Sequence, residues 1–389
     1  MIWFYCIISI CILLLCIKAY IRIQHPFWSS QPIFHVYDIL YYFKPFTFIY
    51  GRDTPFPFHK TYIDSSIQIE SKPSEKIVHS FVSFIQDQYM KTKASHYNPS
   101  KESLELALTS YFTDFPCYIA YKTMYNDSNS LGMYCCLTSR PIYIHMNDKQ
   151  YIGNYVDYLC VHKDYRKQGH TEKLIYTYAC HAKQDSGINL FVFKKEYGSH
   201  TCIQPLVEYT SFVYDIRDWN PISMDITPMK FEEVHTSSFK MIHEYIQSIS
   251  SFFDCTLISS LEYMLKSIEI QDIHIYVLRH DDKVYALYFF RNAYTTYEED
   301  EEKHEIIECI GSICFHEEAK AMITDVFVNI VCMIREKYKM SFLVLDILSH
   351  NFMIKEHLLY DYKVESTSSY YLYNYICKTY DPSQLFICI

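Results

Sequence analysis

Glycine is almost missing from this sequence, at 7 residues in 389, where an average usage of roughly 7% would supply about 27. Each one that remains marks a place where backbone freedom or close approach is needed. Tryptophan is rare too, at 3 residues. The 15 cysteines form no C-x-x-C pair and no Cys/His grouping at zinc spacing, which excludes a zinc finger or a dithiol redox motif. Scattered and odd in number, they read as small buried hydrophobes in a reducing compartment. The 18 histidines form no H-E-x-x-H pattern. No basic stripe interleaved with aromatics is present and the net charge is −10, so no nucleic-acid partner is expected. Tyrosine, in contrast, is abundant at 39 residues, and half of the chain is hydrophobic. That length and apolar content suit two domains of ordinary size.

Ile2 to Ile17 is an almost unbroken apolar run, followed by Lys18 and Arg22. It is slightly short for a spanning helix, and Lys18 can extend the span by snorkelling. A cleaved signal peptide would need a basic region before the run and a small-residue cleavage site after it; neither is present. A third reading is an apolar terminus buried against the body. We expect an uncleaved anchor within residues 1–22, with residues 2–17 in the membrane. The basic flank on its C-terminal side places the body in the cytosol.

Five prolines between His25 and Phe58 exclude one long helix there, and the stretch reads as an extended arm laid over something else. Helical spacing appears over Glu75 to Tyr89. Asn98 or Ser100 can cap a second helix through Leu104 to Leu108. Strand-like runs follow at Cys117 to Tyr121, Leu131 to Leu137, Ile142 to His145 and Tyr155 to Val161. A helix from Thr171 to Lys183 and a strand from Ile188 to Phe193 come next. The second part repeats this order loosely. Helices are expected over Phe231 to Ser250, Leu257 to Lys266 and Glu317 to Lys337. Strands are expected at His274 to Leu278, Val284 to Phe290, Ile306 to Phe315, Phe342 to Ile347 and Tyr370 to Tyr375. The acidic run Glu298 to Glu302 reads as a solvated loop tip. The class is α/β, with two similar units in tandem.

The segment with most chemical content is Val156 to Ile175. A strand ends, a loop carries Arg166-Lys167-Gln168-Gly169-His170-Thr171, and a helix begins. Unsatisfied backbone N–H groups at a helix N-terminus suit a pyrophosphate, and Gly169 lets a ligand approach closely. His162, Lys163, Arg166 and Lys167 add positive charge. The pattern resembles the acyl-CoA loop of GNAT-type acetyltransferases, although Thr171 replaces a small final residue.

Flanking residues narrow the resemblance to protein N-myristoyltransferases. Tyr158-Leu159-Cys160-Val161-His162-Lys163 is similar to that family's F-L-C-V-H-K segment. Phe27-Trp28-Ser29-Ser30-Gln31-Pro32 resembles its F-W-x-T-Q-P arm, and Tyr370 to Tyr375 resembles its Y-Y-L-Y-N-W strand. Tyr97-Asn98-Pro99 and Leu131-Gly132 fall in register as well. The resemblance implies two GNAT-like halves. Residues 23–216 would bind acyl-CoA, and residues 217–389 would form much of a peptide groove. It implies that main-chain N–H groups of Tyr158 and Leu159 form an oxyanion hole, a device in which one donor is worth roughly 3–4 kcal/mol. It implies that the α-carboxylate of Ile389 is the base that deprotonates an N-terminal glycine amine, an amine titrating near neutrality. Phe27 and Trp28 would cover the CoA. Tyr158 to Val161 and Arg166 to Thr171 would hold it. No cofactor or metal is expected beyond myristoyl-CoA or a similar long-chain acyl-CoA as co-substrate, and a monomer is expected.

Several positions depart from the family. Its acidic loop corresponds to the basic stretch Tyr89-Met90-Lys91-Thr92-Lys93, which implies a preference for acidic residues after the glycine. A threonine that contacts the attacking amine corresponds to Val192, and a histidine to Glu208. A G-D-G turn corresponds to Val364-Glu365-Ser366. Three outcomes stay open on the sequence alone: a glycylpeptide N-acyltransferase, a catalytically silent acyl-CoA or lipopeptide binder, and a generic GNAT N-acetyltransferase.

Overall fold

The computed structural model describes residues 2–44, 46–92, 95–125, 131–299 and 302–389. The chain opens with helix α1 (Ile2–Gln24). It is longer than the apolar run because nothing in residues 18–24 disfavours helix until Pro26. It is long and apolar enough to cross a membrane, and its side chains are mostly exposed. Ile21 is the exception, buried against the body.

The arm that follows is a series of short turns rather than a helix, including 3-10 turns at Trp28–Ser30 and Ile39–Phe43. Pro45 lies outside the described residues. The arm is tied down by the residues that carry the sequence resemblance. The Tyr373 hydroxyl donates to Gln31 Oε1 at 2.8 Å, and the Asn374 N–H donates to the Pro32 carbonyl at 2.6 Å. The Asn374 side chain also bonds the backbone of Tyr50 in both directions, at 2.8 and 3.0 Å.

The first half contains α2 (Glu75–Gln88), α3 (Lys101–Leu106), β1 (Tyr118–Tyr125), β2 (Leu131–Met146), β3 (Lys149–Val161), α4 (His170–Asp185), β4 (Phe191–Lys195) and β5 (Val207–Asp215). Helix α2 buries Ile77, Phe81, Phe84 and Ile85, the expected apolar stripe. Ser100 caps α3 by accepting the Ser103 N–H at 3.0 Å. The two strands expected around residues 131–145 are one continuous strand. Along one edge β2 pairs β1 as far as Ser139 and a different strand from Tyr143 onward. Pro141 falls in the gap between these partners, where a missing N–H is tolerated.

The second half contains β6 (Lys230–Val234), α5 (Lys240–Ser248), β7 (Cys255–Ile258), α6 (Leu261–Glu269), β8 (Ile273–His280), β9 (Lys283–Glu299), β10 (Glu302–Cys314), α7 (Ile323–Tyr338), β11 (Phe342–Asp346), β12 (Val364–Tyr373) and β13 (Leu385–Cys388). Three helix expectations are corrected here. Residues 231–234 are a strand, because Phe231 to Val234 pair with β8 before the turn at His235. Residues 257–258 also belong to a strand, and the helix starts only after Ser260, whose hydroxyl accepts the Tyr263 N–H. The helix expected from Glu317 is broken into Glu317–Lys320 and α7. In the last two cases apolar spacing of three or four runs across a turn; in the first the gap from Val234 to Phe239 is five residues. The acidic run closes the β9–β10 hairpin, with Glu299 paired to Glu302; Asp300 and Glu301 lie outside the described residues.

A 15-stranded sheet crosses both halves, with the main path β13-β7-β2-β3-β4-β12-β5-β11-β10-β9-β8-β6. Each half repeats one unit. In the first, β1, β2 and β3 run antiparallel and α4 leads to β4, parallel to β3. In the second, β8, β9 and β10 run antiparallel and α7 leads to β11, parallel to β10. The fold is thus the expected α/β arrangement of two GNAT-like units. Strand β12 comes from the end of the chain yet inserts between β4 and β5, so one sheet joins the units. The tail is buried: β13 lies parallel to β7 and residues 385–389 are at most 4% exposed.

Candidate active site

The site begins where two parallel strands part. β3 and β4 pair only at Asn154–Phe191, Tyr155–Val192 and Val156–Phe193. Beyond that point β3 bulges: Cys136 faces Cys160 but Thr138 faces Asp157, so an extra residue is accommodated between them. Tyr158 sits in this bulge at φ +48°, a left-handed conformation that a tyrosine adopts at a cost. The carbonyls on the bulge are held by side chains, Thr138 Oγ1 donating to Asp157 and Cys136 Sγ to Tyr158. The strands therefore splay, and a cavity of ≈ 430 Å³ fills the wedge.

This larger cavity is walled by Leu137, Val156, Leu159, Ile175, Ala179, Phe191 and Phe193, with Trp28 and His200 at the arm. Trp28 stacks on Phe193 at 5.5 Å and approaches His200 at 5.3 Å. Burial, then Lys195, pushes the His200 pKa down to about 4, so this imidazole is neutral near pH 7. Phe27 is placed differently from its partner. It is buried behind Trp28, edge-on to Trp28 and Tyr62, and supports the arm without lining the cavity.

The loop at the mouth folds its side chains back onto itself. Arg166 Nε donates to the Val161 carbonyl at 3.0 Å, and Gln168 Nε2 to the Asp164 carbonyl at 3.1 Å. Lys167 at φ +63° and Gly169 at φ +78° turn the chain into α4. A Cβ built on Gly169 meets nothing within 4 Å, so the glycine answers a conformational need and leaves the face open. His170 begins the helix. Its Nδ1 is buried without a partner, and burial followed by Lys122 and Lys173 lowers its pKa. Thr171 reaches the larger cavity, whereas Cys160 and Val161 are buried in the core on either side of β3. Neither of those two residues lines the cavity.

A smaller cavity of ≈ 150 Å³ adjoins the larger one, and the two share Tyr89, Tyr155, Asp157, Tyr158, Lys194 and Glu196 as walls. Ile389 lines the smaller cavity. Its carbonyl oxygen lies 3.5 Å from Arg291 Nη1, and Arg291 Nη2 pairs with Glu308 at 2.6 Å. Lys194 pairs with Glu196 at 2.7 Å. Burial raises Asp346 to about 6, Lys194 opposing and Glu308 reinforcing the rise. The Tyr158 N–H donates to Asp157 Oδ1 at 2.8 Å. One of the two main-chain donors expected at the oxyanion position is thus engaged.

Of the residues expected from the sequence, Trp28, Tyr158, Leu159, Thr171 and Ile389 line one or both cavities, while the charged set beside them is not among those expected. Arg140, Asp157, Lys194, Arg291 and Glu308 come from five strands spread between residues 131 and 314, and no local motif joins them. Val192 is fully buried in the core and lines neither cavity, while its neighbours Phe193 and Lys194 do. Glu208, Val364 and Glu365 are exposed. Tyr89 and Met90 line the smaller cavity, Lys91 and Thr92 are exposed beyond them, and Lys93 lies outside the described residues.

No protein-family model matches the chain, and no curated protein matches it in sequence. Solved structures do match. A crystal structure of Saccharomyces cerevisiae N-myristoyltransferase with bound myristoyl-CoA superposes with a TM-score of 0.71 at 14% identity, covering 94% of this chain and 99% of that one. A second structure of the yeast enzyme with myristoyl-CoA gives 0.70 at 15% identity, covering 94% of each chain. A third, with myristoyl-CoA and inhibitors, gives 0.69 at 15%, covering 94% of this chain and 95% of that one. The chain has the fold of N-myristoyltransferases over nearly its whole length.

Proposed function

We propose that this protein transfers a long-chain acyl group, myristoyl or one of similar length, from acyl-CoA to the N-terminal glycine amine of a peptide. The observation that carries this reading is the shared wall. An apolar cavity suited to an acyl chain meets a polar cavity lined by Ile389, and Tyr155, Asp157 and Tyr158 stand at the junction. A thioester carbonyl placed at that junction lies against the bulge, where the Leu159 N–H and, once released from Asp157, the Tyr158 N–H serve as oxyanion donors. The α-carboxylate of Ile389 takes the amine proton in the smaller cavity. The amine then attacks the carbonyl, the C–S bond breaks, and CoA leaves as the thiol. Residues Arg166 to Thr171 present the α4 N-terminus to the CoA phosphates. Residues 23–216 hold the acyl-CoA and residues 217–389 much of the acceptor groove.

The test is incubation of the protein with myristoyl-CoA and a library of glycine-led peptides, read by mass spectrometry. Acyl-peptide formation is expected, and its loss on adding a short extension after Ile389, with acyl-CoA binding retained, supports the carboxylate as base. Acyl-CoA binding with no product from any peptide would establish the second reading, a silent acyl-CoA binder. The engagement of the Tyr158 N–H by Asp157 favours that second reading.

Helix α1 is assigned as a membrane anchor, with the body on the cytosolic side. Deleting residues 2–17 leaves Ile21 and the arm in place. It should move the protein from the membrane to the soluble fraction without changing acyl-CoA affinity.

A further inference from the structure

The smaller cavity contains a guanidinium whose N–H donors meet no acceptor on its walls. Arg140 lies on β2 directly opposite Tyr155 of β3. It is 6% exposed and lines the cavity together with Ile389. Its guanidinium sits between two tyrosine rings, 5.0 Å from the Tyr155 centroid and 4.7 Å from that of Tyr263. These faces attract a cation, yet they satisfy none of its N–H donors in the way an oxygen does. Among the described residues the guanidinium makes no hydrogen bond and no ion pair, and its Nε is buried without a partner.

The other cations on these walls differ. Arg291 is held by Glu308 and Lys194 by Glu196. Asp157 and Asp272 attract the guanidinium through space without reaching ion-pair distance, and each accepts a hydrogen bond from elsewhere, Asp157 from the Tyr158 N–H and Asp272 from the Tyr294 hydroxyl. An arginine cannot shed its proton to escape burial. A buried guanidinium whose N–H donors meet no acceptor is costly, and this one lines an open space that an oxygen-bearing group can enter.

We infer that Arg140 is the subsite for a carboxylate on the acceptor, an Asp or Glu side chain within the first residues after the reacting glycine. This rests on reading the smaller cavity as the acceptor site. A planar guanidinium held between two rings matches a carboxylate in a two-point contact. A void of ≈ 150 Å³ takes a group of about benzene's bulk, so the carboxylate belongs close to the amine and not far along the peptide. Arg140 then acts on acceptor choice and leaves the acyl-CoA half untouched.

The experiment uses the full chain in detergent micelles, loaded with a non-hydrolysable thioether of myristoyl-CoA. Binding of Gly-Asp-led and Gly-Glu-led peptides is compared by calorimetry with their Gly-Asn and Gly-Gln counterparts, for wild type, Arg140→Lys and Arg140→Met. Retained affinity for the thioether shows that each variant is folded. Wild type should bind an acidic peptide at least tenfold more tightly than its amide counterpart. Arg140→Met should remove the difference, and Arg140→Lys should keep part of it. Equal wild-type binding of acid and amide, binding of neither, or a preference that survives Arg140→Met overturns the inference. Turnover of the same peptides is measured separately. Preferential binding without acylation would sink the transferase reading and leave Arg140 standing; acylation of acid and amide alike would do the reverse.

Discussion

The indole of Trp28 lies parallel to the ring of Phe193, with 5.5 Å between centroids and 11° between planes. This contact joins the arm, which follows the N-terminal helix, to the strand that walls the larger cavity. The indole is only partly buried: one side packs on the core of the first half and it also walls the larger cavity. An aromatic pair of this kind contributes about 0.5–1.5 kcal/mol beyond its buried area. Trp28→Ala should therefore weaken acyl-CoA binding by about tenfold, with Trp28→Phe close to wild type. Equilibrium titration with a fluorescent acyl-CoA measures this. An affinity unchanged in Trp28→Ala would mean that the arm does not cover the ligand.

The larger cavity makes a second prediction, about chain length. Its lining is apolar on both strands and on α4, through Leu137, Val156, Ile175, Ala179, Phe191 and Phe193. Each methylene transferred there from water gains about 0.8 kcal/mol, or roughly fourfold in affinity. Acyl-CoA affinity should climb at about that rate from eight carbons upward and fall once the chain outgrows the space. Competition binding across a series of chain lengths gives the slope. A flat series, or a preference for acetyl-CoA, would instead indicate the generic N-acetyltransferase reading.

Gly169 supplies a third prediction. Its φ of +78° lies in the left-handed region, and an added Cβ meets no atom within 4 Å. The cost of a side chain is thus conformational and not steric, about 1–2 kcal/mol for an ordinary L-residue. Gly169→Ala should lower stability by that amount, and Gly169→Asn by less, because asparagine tolerates this region. Urea titration reads the difference. Equal losses for the two variants would point to a contact with a neighbour in place of backbone strain.

The larger cavity and its loop are more legible in the sequence than the smaller cavity, for a physical reason. Residues 156–175 form one contiguous strand–loop–helix, so Gly169 and Thr171 sit beside each other in sequence and in space. The arm and the Tyr370 to Tyr375 strand were legible because Gln31 and Asn374 use specific side-chain bonds that few other residues can make. Arg140, Lys194, Arg291 and Glu308 meet only through sheet register, which no single motif records. The mistaken helices at residues 231–234 and 257–258 share that cause. Strands of five and four residues are too short to show a clear alternation, and each lies one turn away from an amphipathic helix. The runs Leu131 to Leu137 and Ile142 to His145 belong to one strand, whose edge partner changes between Ser139 and Tyr143.

A last prediction concerns acid stability, far from either cavity. Glu233 on β6 binds His274 Nδ1 at 3.2 Å, Lys337 Nζ at 2.6 Å and the Tyr338 hydroxyl at 2.6 Å. Burial alone would raise its pKa, but these three bonds outweigh burial and lower it from 4.5 to about 2. A carboxylate with a depressed folded pKa adds stability that is complete above its unfolded value and is lost as pH falls through the folded one. The bonds link β6 and β8 to the end of α7, so the effect reaches the core of the second half. Glu233→Gln should destabilise the protein by about 1.5–3 kcal/mol at pH 7. The gap to wild type should narrow steadily from about pH 5 toward pH 2, as the wild-type carboxylate takes up the proton whose absence favoured it. Urea titrations of both proteins at pH 7, 5, 4 and 3 follow that gap. A gap that stays constant across this range would show that packing of the side chain, and not its charge, ties β6 to α7.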